Sequence, residues 1–187
     1  MEQESWDRDL LAGSPNQGLV QVYTGNGKGK TTAALGLAIR AAGHGLKVHI
    51  VHFMKTGGEY GEFKELREHP NISFRVFGPS YFVSPDNVPE EARQMVAAAF
   101  AHARGAAMSD EYDILILDEI NIALAWQILA LEPVLEMIRT RPRRLELVLT
   151  GRYAPDEILA VADLVSEVRE VKHPYGQGIP CRQGIEF

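Results

Sequence analysis

At 187 residues and a net charge of -6, the chain has the mass for one well-packed domain but lacks the basic excess of a broad nucleic-acid or membrane-surface binder. Its 45% hydrophobic and 24% charged residues exclude a disordered polymer, and its single cysteine, Cys181, excludes an internal disulfide and suits a reducing compartment. No apolar run reaches the roughly 18 residues of a membrane span, and the acidic start Met1–Leu10 lacks the apolar centre of a signal peptide, so a soluble cytoplasmic protein is expected.

Residues 1–17 are polar apart from Trp6, Leu10 and Leu11, and are expected to form a mobile N-terminal arm ahead of a single domain at 18–187. Leu19–Tyr23 predicts a strand. It runs into Thr24-Gly-Asn-Gly-Lys-Gly-Lys-Thr-Thr32 and then into an alanine-rich helix over 31–42, stopped at Gly43. Strand, glycine-rich turn and helix in that order make a phosphate-binding loop, ending in the G-K-[ST] of Gly29, Lys30 and Thr31. The first glycine of the usual pattern falls on Thr24; here the glycines alternate at 25, 27 and 29. Without a Cβ they let the backbone approach a ligand, and the N–H groups at the helix start favour an anion. Gly25, Asn26, Gly27, Lys28, Gly29, Lys30, Thr31 and Thr32 are therefore the ATP-binding candidates. Lys30 is expected to reach the outer phosphates and Thr31 a magnesium ion.

A second strand is predicted over Lys47–Phe53, parallel to the first through a crossover helix. The loop Met54–Tyr60 leaves its carboxyl end, where open α/β sheets bind ligands, which makes Lys55 with Gly57 and Gly58 a site candidate. A short helix at 62–67 and a strand over Ile72–Phe77 precede a long irregular loop at 78–89. Its Tyr81 and Phe82 either pack on a flat ligand or tuck into the core. Pro89, Glu90 and Glu91 open a helix running to about Met108, with His102 and Arg104 on its solvated side.

Ile114-Leu-Ile-Leu-Asp118-Glu119 reads as a fully buried parallel strand with two carboxylates at its carboxyl end, beside the phosphate loop. One of Asp118 and Glu119 is expected to hold magnesium, directly or through water; the sequence does not say which is nearer. Helices follow at 121–129 and 133–139, with Asn121 close enough to belong to the site. The strand over Leu145–Thr150 brings Arg152 to the ligand edge, where its guanidinium suits a polyphosphate. A helix at 155–162, a last strand at 165–171 and a Gly/Pro-rich tail at 173–187, lying across the sheet edge or over the site, complete the chain.

Taken together, Thr24–Thr32, Ala41-Ala-Gly-His-Gly45, Leu117-Asp-Glu-Ile120, Thr150-Gly-Arg152, Val171-Lys-His-Pro-Tyr175 and Gly184-Ile-Glu-Phe187 resemble the ATP:corrinoid adenosyltransferases of cobalamin biosynthesis and salvage. The resemblance covers about residues 18–187. It implies an α/β, RecA-like P-loop NTPase fold, with a mostly parallel central sheet and helices on both faces, and a homodimer. The implied reaction transfers the 5′-deoxyadenosyl group of ATP to the Co(I) of a reduced corrinoid and releases triphosphate. ATP and magnesium (or manganese) are then the cofactors, a flavoprotein reductase is a partner, and the nucleotide lies reversed in the loop. Lys30, Glu119 and Arg152 are the catalytic candidates, and Thr31, Asp118 and Glu119 the metal candidates. Some members carry Gly-Phe-Thr-Trp after the third strand, where an aromatic shapes the lower face of the corrinoid. This chain has Gly78-Pro-Ser-Tyr-Phe-Val83 instead, leaving Tyr81 or Phe82 as the corrinoid-facing residue.

Two alternatives stand beside this reading. In an ordinary phosphate-loop ATPase or kinase, Glu119 would activate water or Asp118 an acceptor hydroxyl. In an ATP-dependent switch, the 78–89 loop or the arm would be ordered by nucleotide and read by a partner.

Overall fold

The central sheet is built from strands whose side chains alternate between two apolar layers. The computed structural model describes residues 17–55 and 60–187. In chain order the elements are β1 (Val20–Thr24), α1 (Lys30–Gly43), β2 (Val48–Phe53), α2 (Gly61–Leu66), β3 (Ile72–Phe77), α3 (Glu90–Met108), β4 (Ile114–Asp118), α4 (Ile120–Ala125), α5 (Leu131–Thr140), β5 (Glu146–Thr150), α6 (Asp156–Val161) and β6 (Leu164–Glu167). A short 3-10 turn at Pro174–Gln177 lies in the tail. Except for Gln17, the expected arm at 1–17 lies outside the described residues, as do Gly57 and Gly58. No helix among the described residues is long and apolar enough to cross a membrane.

Because strand side chains point to opposite faces with period two, neighbouring residues serve different layers. Val22, Leu115, Leu117, Leu147 and Leu149 pack with the apolar faces of α3, α4 and α5. Val48, Ile50, Ile114, Ile116 and Val148 pack with Ala34, Ala38, Ala41 and Ala42 of α1, and with Leu66 of α2. Helices on both faces explain why β2 and β4 are buried along their whole length and read as near-continuous apolar runs. The strand order is β3-β2-β4-β5-β1-β6, and every pairing is parallel. The expected P-loop NTPase-like fold is present, with a sheet that is parallel throughout.

The order also sets the rim of the site. β4, which carries the carboxylates, is separated from β1 by β5, with Tyr23 opposite Thr150 and Leu117 opposite Leu149. The carboxyl ends of β1, β5 and β4 therefore form one rim, and Thr150 occupies its centre.

Two local boundaries and one side-chain placement differ from the sequence reading. α4 stops at Ala125 because the chain turns back on itself: Gln127 takes a left-handed φ of 54° and the Ile128 and Leu129 N–H groups donate to the Ala123 carbonyl. β6 ends at Glu167, since from Val168 onward the backbone bends over the phosphate loop and bonds Gly27. His102 is only partly exposed: its Nε2 is 2.8 Å from Nε2 of His49, so one ring donates to the other.

His49 is one of two histidines, with His52, in the buried strand β2. Its Nδ1 meets Ser73 Oγ at 2.7 Å and its ring stacks on Tyr112 with centroids 4.7 Å apart. Burial first, then the neighbouring His102, Arg75 and His52, pushes its pKa down from 6.5 to about 4. Between those values the unfolded chain carries a proton that the folded chain refuses, so stability falls as the pH drops from 6.5 toward 4 and the contribution levels off below that. We expect the melting temperature to fall between pH 7 and pH 5 by a margin that shrinks in His49→Gln. Equal acid sensitivity in the two proteins would show that this ring is not the responsible group.

Candidate active site

The phosphate loop joins β1 to α1, and its alternating glycines have distinct causes. Gly25 has φ 95°, and a Cβ there would sit 2.5 Å from the Val168 carbonyl oxygen. A Cβ on Gly27 would lie 2.8 Å from the Arg169 backbone, and the Gly27 N–H donates to the Val168 carbonyl at 2.7 Å. Both positions are thus fixed by the close passage of residues 168–169. Gly29 faces open space and takes φ 125° at the mouth of α1.

Lys30 begins the helix and turns its ammonium back into the loop, donating to the carbonyls of Gly25 (2.8 Å) and Gly27 (2.7 Å). It is buried, and burial lowers its pKa; Glu119 and Asp118 oppose that shift while Arg152 reinforces it. A desolvated ammonium whose hydrogen-bond partners among the described residues are neutral carbonyls is poised to accept an anion.

Asp118 is saturated with donors. Oδ1 accepts from the hydroxyls of Thr31 (2.9 Å) and Thr150 (2.7 Å); Oδ2 accepts from His52 Nδ1 (2.9 Å) and Lys55 Nζ (2.7 Å). Burial alone would raise its pKa, but the Lys55 ammonium and the His52 hydrogen bond hold this carboxyl well below the usual carboxylate range. Thr150 closes the cluster: besides donating to Asp118, its Oγ1 accepts from the Glu119 N–H at 3.0 Å. Glu119 caps α4 in a left-handed conformation, φ 64°, a strained geometry for a residue with a Cβ. Burial and the neighbouring Asp118 raise its pKa, against the pull of Lys55, Lys30 and Arg152.

Lys30, Thr31, Lys55, Glu119 and Arg152 line one cavity of about 580 Å³, together with Gly27, Lys28, Gly29 and Thr32. Gly25 and Asn26 are not part of its wall. The tail supplies the opposite wall through His173, Cys181 and Gly184–Phe187, and Lys28 Nζ donates to the Ile185 carbonyl at 3.0 Å. A neighbouring cavity of about 380 Å³ shares Arg152, His173, Cys181 and Glu186. Asn121 is fully buried beneath this rim; its side-chain nitrogen reaches the Gly151 carbonyl at 3.5 Å, and its oxygen has no hydrogen-bond partner among the described residues.

The donors suit magnesium: the Thr31 hydroxyl and two carboxylates are hard oxygen ligands. Among the described residues no three His, Cys, Asp or Glu side chains converge to hold a metal by themselves, so a bound ion would need nucleotide oxygens as well. Tyr81 and Phe82 lie elsewhere. The Tyr81 hydroxyl is 3.2 Å from Glu91 Oε2, Phe82 is 90% exposed, and neither borders the 580 Å³ cavity.

Residues 16–187 match the family model described as "ATP:corrinoid adenosyltransferase BtuR/CobO/CobP". The chain belongs to this family. It is similar to the corrinoid adenosyltransferase of Escherichia coli K12, at 35% identity over 98% of this chain and 93% of that protein. Against the corrinoid adenosyltransferase CobA of Salmonella typhimurium LT2 the identity is 34%, covering 97% and 91% of the two chains. A corrinoid adenosyltransferase of Pseudomonas aeruginosa PAO1 is 35% identical, covering 97% and 89%.

In this adenosyltransferase-family chain the sequence reading missed three site residues. His52 was legible only as a polar interruption of a buried strand. Thr150 reads from sequence as a strand end, and its place between two functional strands depends on the strand order. Glu186, 4.0 Å from Lys28, lies in a tail whose path local sequence does not specify.

Proposed function

We propose that the chain transfers the 5′-deoxyadenosyl group of ATP to the Co(I) of a reduced corrinoid, releasing triphosphate, in cobalamin biosynthesis or salvage. The observation that carries this reading is that the family match at 16–187 includes every residue lining the 580 Å³ cavity, from the phosphate loop to Phe187. Co(I) brings the attacking electron pair. The cobalt–C5′ bond forms as the C5′–O5′ bond breaks, the leaving pair departs on triphosphate, and cobalt becomes Co(III). No protein nucleophile is required. The protein's tasks are to align C5′ with the cobalt, an effect that can contribute roughly 7–11 kcal/mol, and to receive charge on the triphosphate. Lys30 and Arg152 face the cavity for that second task. The nucleotide lies reversed in the loop, so that C5′ and not the γ-phosphate meets the corrinoid.

Thr31, Asp118 and Glu119 are the proposed holders of magnesium or manganese, which when bound neutralises triphosphate charge. A homodimer is supported by the exposed apolar residues Leu164 and Val165 on the edge strand β6. A flavoprotein reductase is the proposed electron source, and a reducing cytoplasm suits the exposed free Cys181.

Phosphorus NMR of an anaerobic reaction tests the activity. The reading predicts inorganic triphosphate, formed only when reduced corrinoid is present. ADP and orthophosphate formed without corrinoid would move the chain to the ATPase class.

Tyr81 and Phe82 are the proposed corrinoid-facing residues. Since Phe82 stands in solvent, Phe82→Ala is expected to change stability by no more than about 0.5 kcal/mol. It should raise KM for the corrinoid several-fold and leave KM for ATP unchanged. An unchanged corrinoid KM would remove Phe82 from the site.

A further inference from the structure

Lys55 stands where two of the proposed metal ligands meet. Its Nζ is 2.7 Å from Asp118 Oδ2 and 3.4 Å from Thr31 Oγ1, and those two residues are themselves joined by a 2.9 Å hydrogen bond. A divalent cation bridging Thr31 and Asp118 would need the same space and the same lone pairs. Two cations drawn to one buried carboxylate repel each other strongly at such distances, so each weakens the other's hold on Asp118.

We propose that Lys55 is the resident counter-cation of Asp118, occupying the divalent-metal position until metal and nucleotide enter together. The inference rests on the metal site proposed above. It assigns Lys55 a positioning and gating role: the ammonium satisfies a buried carboxylate and competes with free divalent ions for it. The geometry provides for its displacement. His52 remains on Asp118 Oδ2, and Thr150 on Oδ1, so the carboxylate keeps its orientation when Lys55 departs. Lys55 itself lines the phosphate cavity, where Glu62, Glu119 and the Tyr60 ring, 5.7 Å from Nζ, also lie. A nucleotide triphosphate entering that cavity offers the displaced ammonium new anionic partners. Metal entry is thereby tied to nucleotide entry, because the triphosphate adds to Glu62 and Glu119 the negative charge that compensates Lys55 for the loss of Asp118.

The test is manganese binding, followed by electron paramagnetic resonance of the free ion, with and without ATP. Wild type should bind Mn²⁺ weakly in the absence of nucleotide and at least tenfold more tightly in its presence. Lys55→Met should bind Mn²⁺ without nucleotide at least tenfold more tightly than wild type. Lys55→Gln, which keeps a hydrogen-bond donor toward Asp118 while removing the charge, gives the same comparison should the methionine variant fail to fold. Lys55→Arg should exclude the ion as wild type does. Tight nucleotide-free Mn²⁺ binding by wild type would overturn the proposal without any variant. So would equal nucleotide-free affinities in wild type and a folded neutral variant. If wild type with ATP holds no more Mn²⁺ than ATP alone, the metal site beneath the proposal fails, and the gating role fails with it.

Discussion

Replacing Lys30 by alanine lowers kcat for adenosyl transfer by about 10²–10³-fold, the loss expected when one preorganised charged donor is removed from a developing anion. The ammonium is already desolvated and held by the Gly25 and Gly27 carbonyls, so little reorganisation is needed to bring it onto triphosphate. Lys30→Arg should not restore the rate, because the larger planar guanidinium does not fit the place of a buried point charge. Lys30→Ala also leaves two loop carbonyls without their donor, at a cost of about 1–3 kcal/mol. The rate comparison therefore belongs well below the melting temperature of the variant. A loss smaller than tenfold, measured under anaerobic saturating conditions, would mean that Lys30 does not stabilise the leaving group.

Asp118→Ala carries the largest expected loss of stability. Four donors converge on a carboxylate that is 1% exposed, and two of them, His52 and Lys55, come from β2 and the loop that follows it. Removing one partner of such a buried charge cluster costs about 3–5 kcal/mol. With roughly 2–4 °C of melting temperature per kcal/mol in a domain of this size, a drop of about 6–20 °C follows. Lys55→Met in the same background should recover part of that loss, since it removes the ammonium that Asp118→Ala leaves unpaired. The double-mutant cycle from thermal melts measures this coupling. Additive losses would show that Asp118 and Lys55 act independently.

The parts of the site that could be read from sequence are those encoded within one element. The Gly-Lys-Gly-Lys-Thr turn sits between a strand and a helix, and the Leu117-Asp-Glu-Ile120 run ends a fully buried strand; each carries its own signature. What brings them together is not local. β5 separates β1 from β4, and that order depends on which strand pairs with which, so the bridging role of Thr150 becomes visible only in the sheet. His52 and His49 were absorbed into an apolar strand because their partners, Asp118 and His102, lie 66 and 53 residues away. The same long separation made His102 look solvated. The tail has few apolar residues spaced regularly enough to predict a path, and its position over the phosphate loop follows from contacts of Val168 with Gly27 and Ile185 with Lys28.

The most direct test of the account is an anaerobic reaction with ATP carrying carbon-13 at C5′, chemically reduced cobalamin and magnesium, followed by carbon and phosphorus NMR. Attack at C5′ predicts a labelled carbon bonded to cobalt, lost on exposure to light, with one equivalent of triphosphate. Label remaining in ADP or AMP, with the reduced corrinoid unaltered, would contradict it.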